Sequence, residues 1–173
     1  QDYVTYFVKW VQAFNAEGID IYAVTPQNEP LNRGNSASLY MSWEEQRDFV
    51  KTALGPKFKT AGLATKIYAY DHNYDYREIA TEKNYPGKMY EDAADSQYLD
   101  GAAYHNYGGN REELLNIHKA YPEKELLFTE TSIGTWNSGR DLSKRLLEDM
   151  KEVALGTINN WCRGVIVWNL MLD

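Results

Sequence analysis

Apolar residues recur along the chain with two alternating spacings, one typical of amphipathic helices and one typical of short buried strands. The predicted strands are residues 19–24, 66–70, 101–104, 125–129 and 164–168. The predicted helices are residues 2 to about 17, 42 to about 54, 89–94, 110–120 and 142–154. Strands that alternate with helices in this way indicate an α/β fold in which parallel strands are joined by helical crossovers.

Capping residues support several of the predicted helix ends. Asp2 is the predicted N-cap of the first helix, and Gly18 is its predicted stop. Residues 42–45 read Ser-Trp-Glu-Glu, which is a capping box. Asn110 and Glu113 cap the helix that Pro122 ends, whereas the stretch around residues 86–87 reads as irregular. The element order is therefore marked by local signals as well as by periodicity.

Polar and aromatic residues follow nearly every predicted strand, as at residues 27–29, 71–73, 105–107, 130–132 and 168–169. An open doubly wound sheet usually places its site at a single switch point, whereas a barrel collects residues from the carboxyl ends of several strands. The distribution therefore favours a (β/α)8 barrel. Five strands do not close such a barrel, so we expect residues 1–173 to be a partial TIM-barrel domain from which three strands upstream are missing.

Composition excludes several classes of partner and site. The net charge of −7 argues against nucleic acid or an anionic membrane surface as the main partner, and no apolar run is long enough to span a bilayer. The single cysteine, Cys162, permits no intrachain disulfide and reads as a small buried side chain. No His/Cys cluster with metal-ligand spacing and no glycine-rich phosphate loop is present, so neither a metal nor a cofactor is expected. The 14 Tyr and 5 Trp residues are compatible with sugar stacking or with a large core.

Two glutamates stand directly after predicted strands. Glu29 follows the first strand and Glu130 follows the fourth, so in a barrel their side chains would meet at one mouth. A converging pair of carboxylates is what glycoside hydrolysis requires, with one protonated to assist the leaving oxygen and one ionised to attack the anomeric carbon. Mutual repulsion is expected to raise the pKa of the acid, while hydrogen bonds keep the nucleophile charged. Helix capping or a surface ion pair would explain either glutamate equally well from position alone.

Four motifs together resemble glycoside hydrolase family 30, the glucosylceramidase and β-1,6-glucanase family. They are Asn28-Glu29-Pro30 and residues 101–107, 127–134 and 168–170, in the order of the family's fourth to eighth barrel strands. The resemblance covers essentially the whole chain. It implies a retaining β-glycosidase in which Glu29 is the acid/base and Glu130 the nucleophile.

The resemblance also implies roles for neighbouring residues. Asn28 is similar to the residue that hydrogen-bonds the sugar 2-hydroxyl, and Tyr107 to the tyrosine that orients the nucleophile, although a half-buried rim aromatic is the alternative for Tyr107. Trp168 resembles the aromatic floor under the glycone sugar, while a core position that closes the barrel is compatible with the same motif. His105 is interpreted as a supporting imidazole rather than a proton carrier, because two carboxylates already complete the acid–base cycle.

Three further residues are candidate sugar ligands. Asp71 and His72 follow the second strand, where the family places substrate-facing polar residues, although Asp71 would also suit a turn cap. Trp136 follows Glu130 and is either a wall on the aglycone side or a loop anchor.

The expected activity is hydrolysis of β-glucosidic bonds by double displacement, with a carbohydrate as partner. Asn106 stands where mammalian-type glucosylceramidases have Trp, and residues 70–73 (Tyr-Asp-His-Asn) look more like the β-1,6-glucanase branch. Glucosylceramidase, β-xylosidase or xylanase activity of the same family remains an alternative, as does a non-catalytic carbohydrate-binding barrel. By family analogy the protein is expected to be secreted, periplasmic or cell-surface.

Overall fold

Five parallel strands form one continuous sheet in which each strand is paired with the next one along the chain. A computed structural model describes residues 1–35, 39–76, 78–132 and 139–168. The strands are β1 (Ala23–Val24), β2 (Lys66–Asn73), β3 (Gly101–His105), β4 (Glu125–Glu130) and β5 (Cys162–Val165). Their order is β1-β2-β3-β4-β5, and all four pairings are parallel. A sheet that never reverses its order is the open arc of a barrel, which confirms the predicted partial (β/α)8 fold.

Helices connect successive strands and cover one face of the arc. They are α1 (Asp2–Ala16), α2 (Trp43–Phe49), α3 (Gly55–Thr60), α4 (Tyr85–Tyr90), α5 (Glu112–Ala120), α6 (Leu142–Glu148) and α7 (Leu155–Ile158). Two π-helical segments, Val50–Leu54 and Asp149–Ala154, join α2 to α3 and α6 to α7, and a 3₁₀ turn spans Ala80–Glu82. Within the described residues, no helix combines the length and the apolar character needed to cross a membrane.

The hydrophobic core lies between the helices and the outer face of the sheet. Its buried members include Val11, Leu54, Phe58, Met89, Leu114 and Phe128. Cys162, at the start of β5, is also buried, as expected for a small apolar side chain. The inner face of the arc, which would be the barrel interior, carries polar side chains at both strand ends.

Several predicted element boundaries differ from those in the structure. Gln1 rather than Asp2 is the N-cap of α1, so Asp2 lies in the first turn, where a negative charge favours the helix dipole. Of the expected strand 19–24, the ladder in the described part of the chain contains only Ala23–Val24, which pair with Lys66 and Ile67 of β2. The helix expected over 89–94 begins instead at Tyr85, since Pro86 fits the first turn of a helix, where no amide hydrogen is needed.

Two helical regions are longer than predicted. The helix from Trp43 continues past Leu54 to Thr60, because a π-helical turn leads into Pro56, which sits at the start of α3. The region from Leu142 continues to Ile158. Its expected apolar face is mostly uncovered: Val153 is buried, whereas Leu142 and Leu146 are 74% and 65% exposed.

Candidate active site

Glu29 lies in the turn after β1, and its side chain is only 10% exposed. Its backbone has a positive φ of 45°, and its amide donates to the carbonyl oxygen of Asp71 at 2.9 Å, which ties the turn to β2. The Oε2 atom accepts hydrogen bonds from the side-chain amides of Asn32 at 2.7 Å and Asn35 at 3.1 Å. Glu29 is therefore fixed in two ways, by the hydrogen bond of its backbone amide and by the two hydrogen bonds to its carboxylate.

Glu130 is the last residue of β4 and is half-buried. The hydroxyl of Tyr107, in the loop after β3, lies 3.1 Å from Oε1 of Glu130 and 3.0 Å from Oγ of Ser132. Tyr107 itself is 41% exposed, so it stands at the rim with its hydroxyl turned toward the carboxylate. Burial raises the pKa of Tyr107 to about 12, so its hydroxyl keeps its proton as a donor at neutral pH.

The structure brings Glu29, Glu130 and His105 together at the carboxyl ends of the strands. One carboxylate oxygen of each glutamate and one ring nitrogen of His105 all lie within 4.8 Å of one another. The three residues come from three different strand ends, so the two glutamates converge at one mouth, as predicted.

His105 bridges two carboxylates. Its Nε2 atom is 3.0 Å from Oδ1 of Asp71, and its Nδ1 atom is 3.3 Å from Oε1 of Glu29. A neutral imidazole has one N–H, so satisfying both contacts requires a second proton, either on the ring or on a carboxyl group. Burial opposes a charged ring, but the hydrogen bonds to Asp71 and Glu29 outweigh it and raise the pKa of His105 to about 9. In the free site the second proton therefore lies on the imidazole.

The pKa order of the two glutamates is the reverse of the one expected from the sequence. The hydrogen bond from His105 lowers the pKa of Glu29 despite its burial, and Asn32 adds to this effect. Burial raises the pKa of Glu130, and the nearby charge of Glu29 raises it further. The expectation failed because it considered only the two carboxylates, whereas the imidazolium lies closer to Glu29.

Asp71 and His72 are both buried beside Glu29. Besides accepting from His105, Asp71 accepts hydrogen bonds from the hydroxyls of Thr25 at 2.6 Å and Thr129 at 2.6 Å. Burial opposes the charge of Asp71, but the hydrogen bond from His105, followed by those from the two threonines, lowers its pKa. These bonds leave Asp71 inside the barrel rather than in a turn cap. The ring of His72 lies 4.0 Å from Glu29 through Nδ1, which accepts the amide of Asn73. Burial lowers the pKa of His72 to about 4, so it is neutral.

Asn28 and Trp168, two of the remaining predicted residues, are exposed. The side chain of Asn28 is exposed next to Glu29, and Gln27 donates to its carbonyl oxygen at 3.0 Å. Trp168 is 56% exposed, and its amide donates to the carbonyl oxygen of Thr131 at 2.8 Å, which holds it beside the end of β4. Trp136 lies outside the described residues.

Four polar residues in the site were not singled out from the sequence: Asn32, Asn35, Thr25 and Thr129. The two threonines lie just after β1 and within β4, where a short hydroxyl reads as ordinary strand composition. The two asparagines follow the Asn-Glu-Pro motif in a loop-like stretch, where amides are expected for turn formation. The threonines bond Asp71, which lies on another strand, whereas the asparagines bond Glu29 within the same turn. Nothing in the local sequence distinguishes these contacts from structural ones.

Hydrogen bonding accounts for the geometry of the Glu29, His105 and Glu130 group, although each residue offers one atom that a metal ion could use. Both ring nitrogens of His105 already face carboxylate oxygens. Coordination would require the ring to lose a proton and give up one of these bonds. We therefore assign the contacts to a proton-sharing network.

Comparison with known proteins places the whole chain in a single family. The model of the glycosyl hydrolase family 30 TIM-barrel domain matches residues 1–173. Among solved structures, the chain superposes on the endo-β1,6-glucanase BT3312 with a TM-score of 0.96 and 87% sequence identity, over 100% of this chain and 38% of that one.

Two groups of curated proteins are also similar. An endo-1,6-β-D-glucanase of Trichoderma harzianum, BGN16.3, is 36% identical over 97% of this chain and 32% of its own length. A putative glucosylceramidase 4 of Caenorhabditis elegans is 29% identical over 100% of this chain and 34% of its own length. The chain thus spans about a third of the length of the curated relatives it matches.

Proposed function

Because the chain belongs to glycosyl hydrolase family 30, we propose that it forms part of the catalytic barrel of a retaining β-glycosidase that cleaves β-1,6-linked glucan. The observation that carries the proposal is the meeting of Glu29 and Glu130 at the carboxyl ends of the strands, with one oxygen of each within 4.8 Å. Retaining enzymes hold their carboxyl groups about 5–5.5 Å apart, whereas inverting enzymes need roughly 6.5–9.5 Å to admit a water molecule. The short spacing supports double displacement.

In this mechanism Glu130 attacks the anomeric carbon while Glu29 protonates the departing glycosidic oxygen. The bond from carbon to the leaving oxygen breaks as the bond to the Glu130 carboxylate forms, which gives a covalent glycosyl-enzyme. Glu29 then takes a proton from water, whose oxygen attacks the same carbon and releases Glu130. The hydroxyl of Tyr107, next to the Glu130 carboxylate, supports attack by the ionised form.

The proton for the first step is present in the hydrogen bond between His105 and Glu29. In the free site the imidazolium holds it, 3.3 Å from the carboxylate oxygen. A bound sugar expels water from the mouth, and a water-poor site disfavours separate opposite charges in comparison with a neutral pair. Transfer from Nδ1 to Oε1 then leaves a neutral imidazole and a protonated Glu29, which is the form that acts as acid. This proposal makes His105 a proton carrier, unlike the supporting role expected from the sequence.

Other residues are assigned to sugar binding or to support. Asn28 is proposed to bond the sugar 2-hydroxyl and Trp168 to stack under the glycone, while Trp136 stays a candidate for a wall on the aglycone side. His72 is the better candidate of the buried pair for a sugar hydroxyl, because its Nε2 has no hydrogen-bond partner among the described residues. Asp71 has hydroxyl and imidazole donors on both of its oxygens, so we assign it to orienting His105.

The substrate assignment rests on the proteins that this chain resembles. Relatives at 87% and 36% identity are named endo-1,6-β-glucanases, and the putative glucosylceramidase is more distant at 29%. Asn106 in place of the tryptophan of mammalian-type glucosylceramidases points the same way. A glucan polymer does not cross a membrane unaided, so we expect the protein to act outside the cytoplasm.

The first experiment asks whether the intact protein hydrolyses β-1,6-glucan, glucosylceramide or xylan. We expect β-1,6-glucan to be cleaved fastest, with the β configuration of the released reducing end seen by NMR before mutarotation. An α product would contradict retention. Binding of the glucan without turnover would support the non-catalytic alternative instead.

A second measurement separates the roles of the two glutamates. A 2-deoxy-2-fluoroglucoside with an activated leaving group should label Glu130, identified by mass spectrometry of the digested protein. Glu29→Gln should nearly abolish glucan hydrolysis while largely sparing formation of the glycosyl-enzyme from the activated substrate, which needs no acid. Labelling of any other residue would overturn the assignment.

A further inference from the structure

Strand β2 contains a bulge just before the active site. Tyr70 pairs with Ala103 of β3, yet the next ladder pair is His72 with Tyr104, so Asp71 is an extra residue without a partner across the strand. Tyr70 and Asp71 have positive φ values of 75° and 60°, a region that residues with a side chain rarely adopt. The surrounding structure must hold this conformation in place.

The bulge decides which face of the sheet Asp71 occupies. The hydroxyl of Tyr68 reaches Glu125 on the inner face of the arc. Strict alternation would turn Asp71, three residues later, toward the helices. Instead, its carboxylate bonds His105 on the inner face, while the ring of Tyr70 packs against Tyr85 of α4. One inserted residue therefore places Asp71 beside His105.

In the bulge, the backbone amide of Tyr70 donates its hydrogen bond to a side chain from the helical layer. Oε1 of Gln46, on α2, accepts the Tyr70 amide at 2.8 Å. Gln46 is 0% exposed, and its Nε2 has no hydrogen-bond partner among the described residues. A buried amide with an unused donor is unfavourable, and an apolar side chain of similar volume would avoid that cost. The bond to Tyr70 is the interaction that Gln46 supplies and an apolar residue does not.

We propose that Gln46 is a positioning residue of the active site, which acts from outside the barrel by fixing the Tyr70–Asp71 bulge. Two consequences follow from the one bond. The side chain of Asp71 is aimed at Nε2 of His105, and the backbone carbonyl of Asp71 receives the amide of Glu29 at 2.9 Å. Gln46 thus sets both members of the pair that shares the catalytic proton. The effect on catalysis rests on the function proposed above.

The test replaces Gln46 with methionine, which has similar volume and no strong acceptor, and with glutamate, which keeps an acceptor oxygen even when protonated. In the intact protein, Gln46→Met is expected to lower kcat on β-1,6-glucan by roughly ten- to a hundredfold, the effect of a small misplacement of catalytic groups, with little change in KM. Gln46→Glu should recover most of this loss. Should Gln46→Met not fold, Gln46→Asn, whose shorter side chain withdraws the acceptor, takes its place with the same expectation.

A matched control separates positioning from stability. Val50, one turn further along the same helical stretch, is also 0% exposed, and Val50→Ala removes core packing without removing an acceptor from the bulge. When Val50→Ala and Gln46→Met lose the same amount of Tm, Val50→Ala should leave kcat nearly unchanged. A kcat loss in Gln46→Met no greater than that in Val50→Ala would overturn the proposal.

A readout independent of activity keeps this proposal distinct from the proposed function. In Gln46→Met, amide exchange at Tyr70 should accelerate and the imidazole N–H resonance of His105 should shift, whereas Val50→Ala should change neither. Unchanged signals would refute the role of Gln46 even in an active enzyme. If the wild type hydrolyses no glycan, the proposed function fails, and these signals still decide whether Gln46 positions the site.

Discussion

Strand β4 begins and ends with a glutamate, and the two residues have opposite surroundings. At the amino end, Glu125 accepts hydrogen bonds from Lys66 at 2.7 and 2.8 Å and from the hydroxyl of Tyr22 at 3.0 Å. The hydroxyl of Tyr68 also bonds it, and Arg163 lies 2.9 Å away. One carboxylate is thus matched by two cations and two phenols, a group we call the floor cluster.

At the mouth of the same arc, negative groups outnumber positive ones. Three carboxylates, those of Asp71, Glu29 and Glu130, surround the single imidazolium of His105. Burial raises the pKa of Glu130. Burial also opposes the charge of Glu125, yet hydrogen bonds from Lys66 and the two tyrosines lower its pKa to about 2. A carboxylate with full compensation serves stability, whereas an under-compensated one remains reactive.

Among the variants that test this contrast between the mouth and the floor cluster, Glu130→Gln is expected to have the largest effect on activity. Loss of the nucleophile should reduce kcat on β-1,6-glucan by about 10⁴-fold or more. The free energy of unfolding should stay the same or rise slightly, because the substitution removes a negative charge near Glu29 and Asp71. Steady-state kinetics and urea unfolding of the intact protein measure both quantities. A large loss of stability would show that Glu130 belongs with the floor cluster.

Glu125→Gln should lower the free energy of unfolding and leave kcat unchanged, the reverse of Glu130→Gln. Its effect should be intermediate in size. It removes charge-assisted bonds, and because Lys66 and Arg163 are partly solvated we expect a loss of about 1–3 kcal/mol in unfolding free energy. The folded pKa of about 2 lies below the unfolded value near 4.3, so this stabilisation is complete above about pH 4.3 and disappears as the pH falls through 2. The wild type and variant should therefore converge in stability in acid. Glu123→Gln, an exposed neighbour, is the control, and an equal loss there would contradict the interpretation.

The two ends also differ in how well the sequence predicted them. Glu29 and Glu130 are candidates because they follow strands, and a barrel brings all such positions to one mouth. Their catalytic roles are implied by the resemblance to glycoside hydrolase family 30. Glu125 gave no such signal, since a charged residue at the start of a strand reads as ordinary solvent exposure. Its partners Lys66 and Arg163 lie on other strands, so only the register of the sheet brings them within bonding distance.

Backbone detail was a further limit on the prediction. Periodicity predicted the five strands, because these depend on buried apolar runs, and the polar residues after each strand predicted the barrel order that the sheet has. It did not predict the bulge at Tyr70 and Asp71, where neither residue is glycine and both have positive φ. That bulge places Asp71 beside His105, and His105 in turn reverses the expected pKa order of the glutamates. A one-residue irregularity thus changed the electrostatics of the whole site.

The smallest effect is expected at the edge of the floor cluster, from Tyr22→Phe. Tyr22 is 53% exposed, and its hydroxyl bonds Glu125 and Lys66 at 3.0 Å each, so water can replace both contacts. We expect a loss of at most about 0.5 kcal/mol in unfolding free energy and no change in kcat. Tyr107→Phe removes the same atom at the mouth, where it should cost about tenfold in kcat and no stability, because that hydroxyl acts on Glu130. Equal effects of the two variants on both quantities would contradict the division of the arc into a stabilising floor and a reactive mouth.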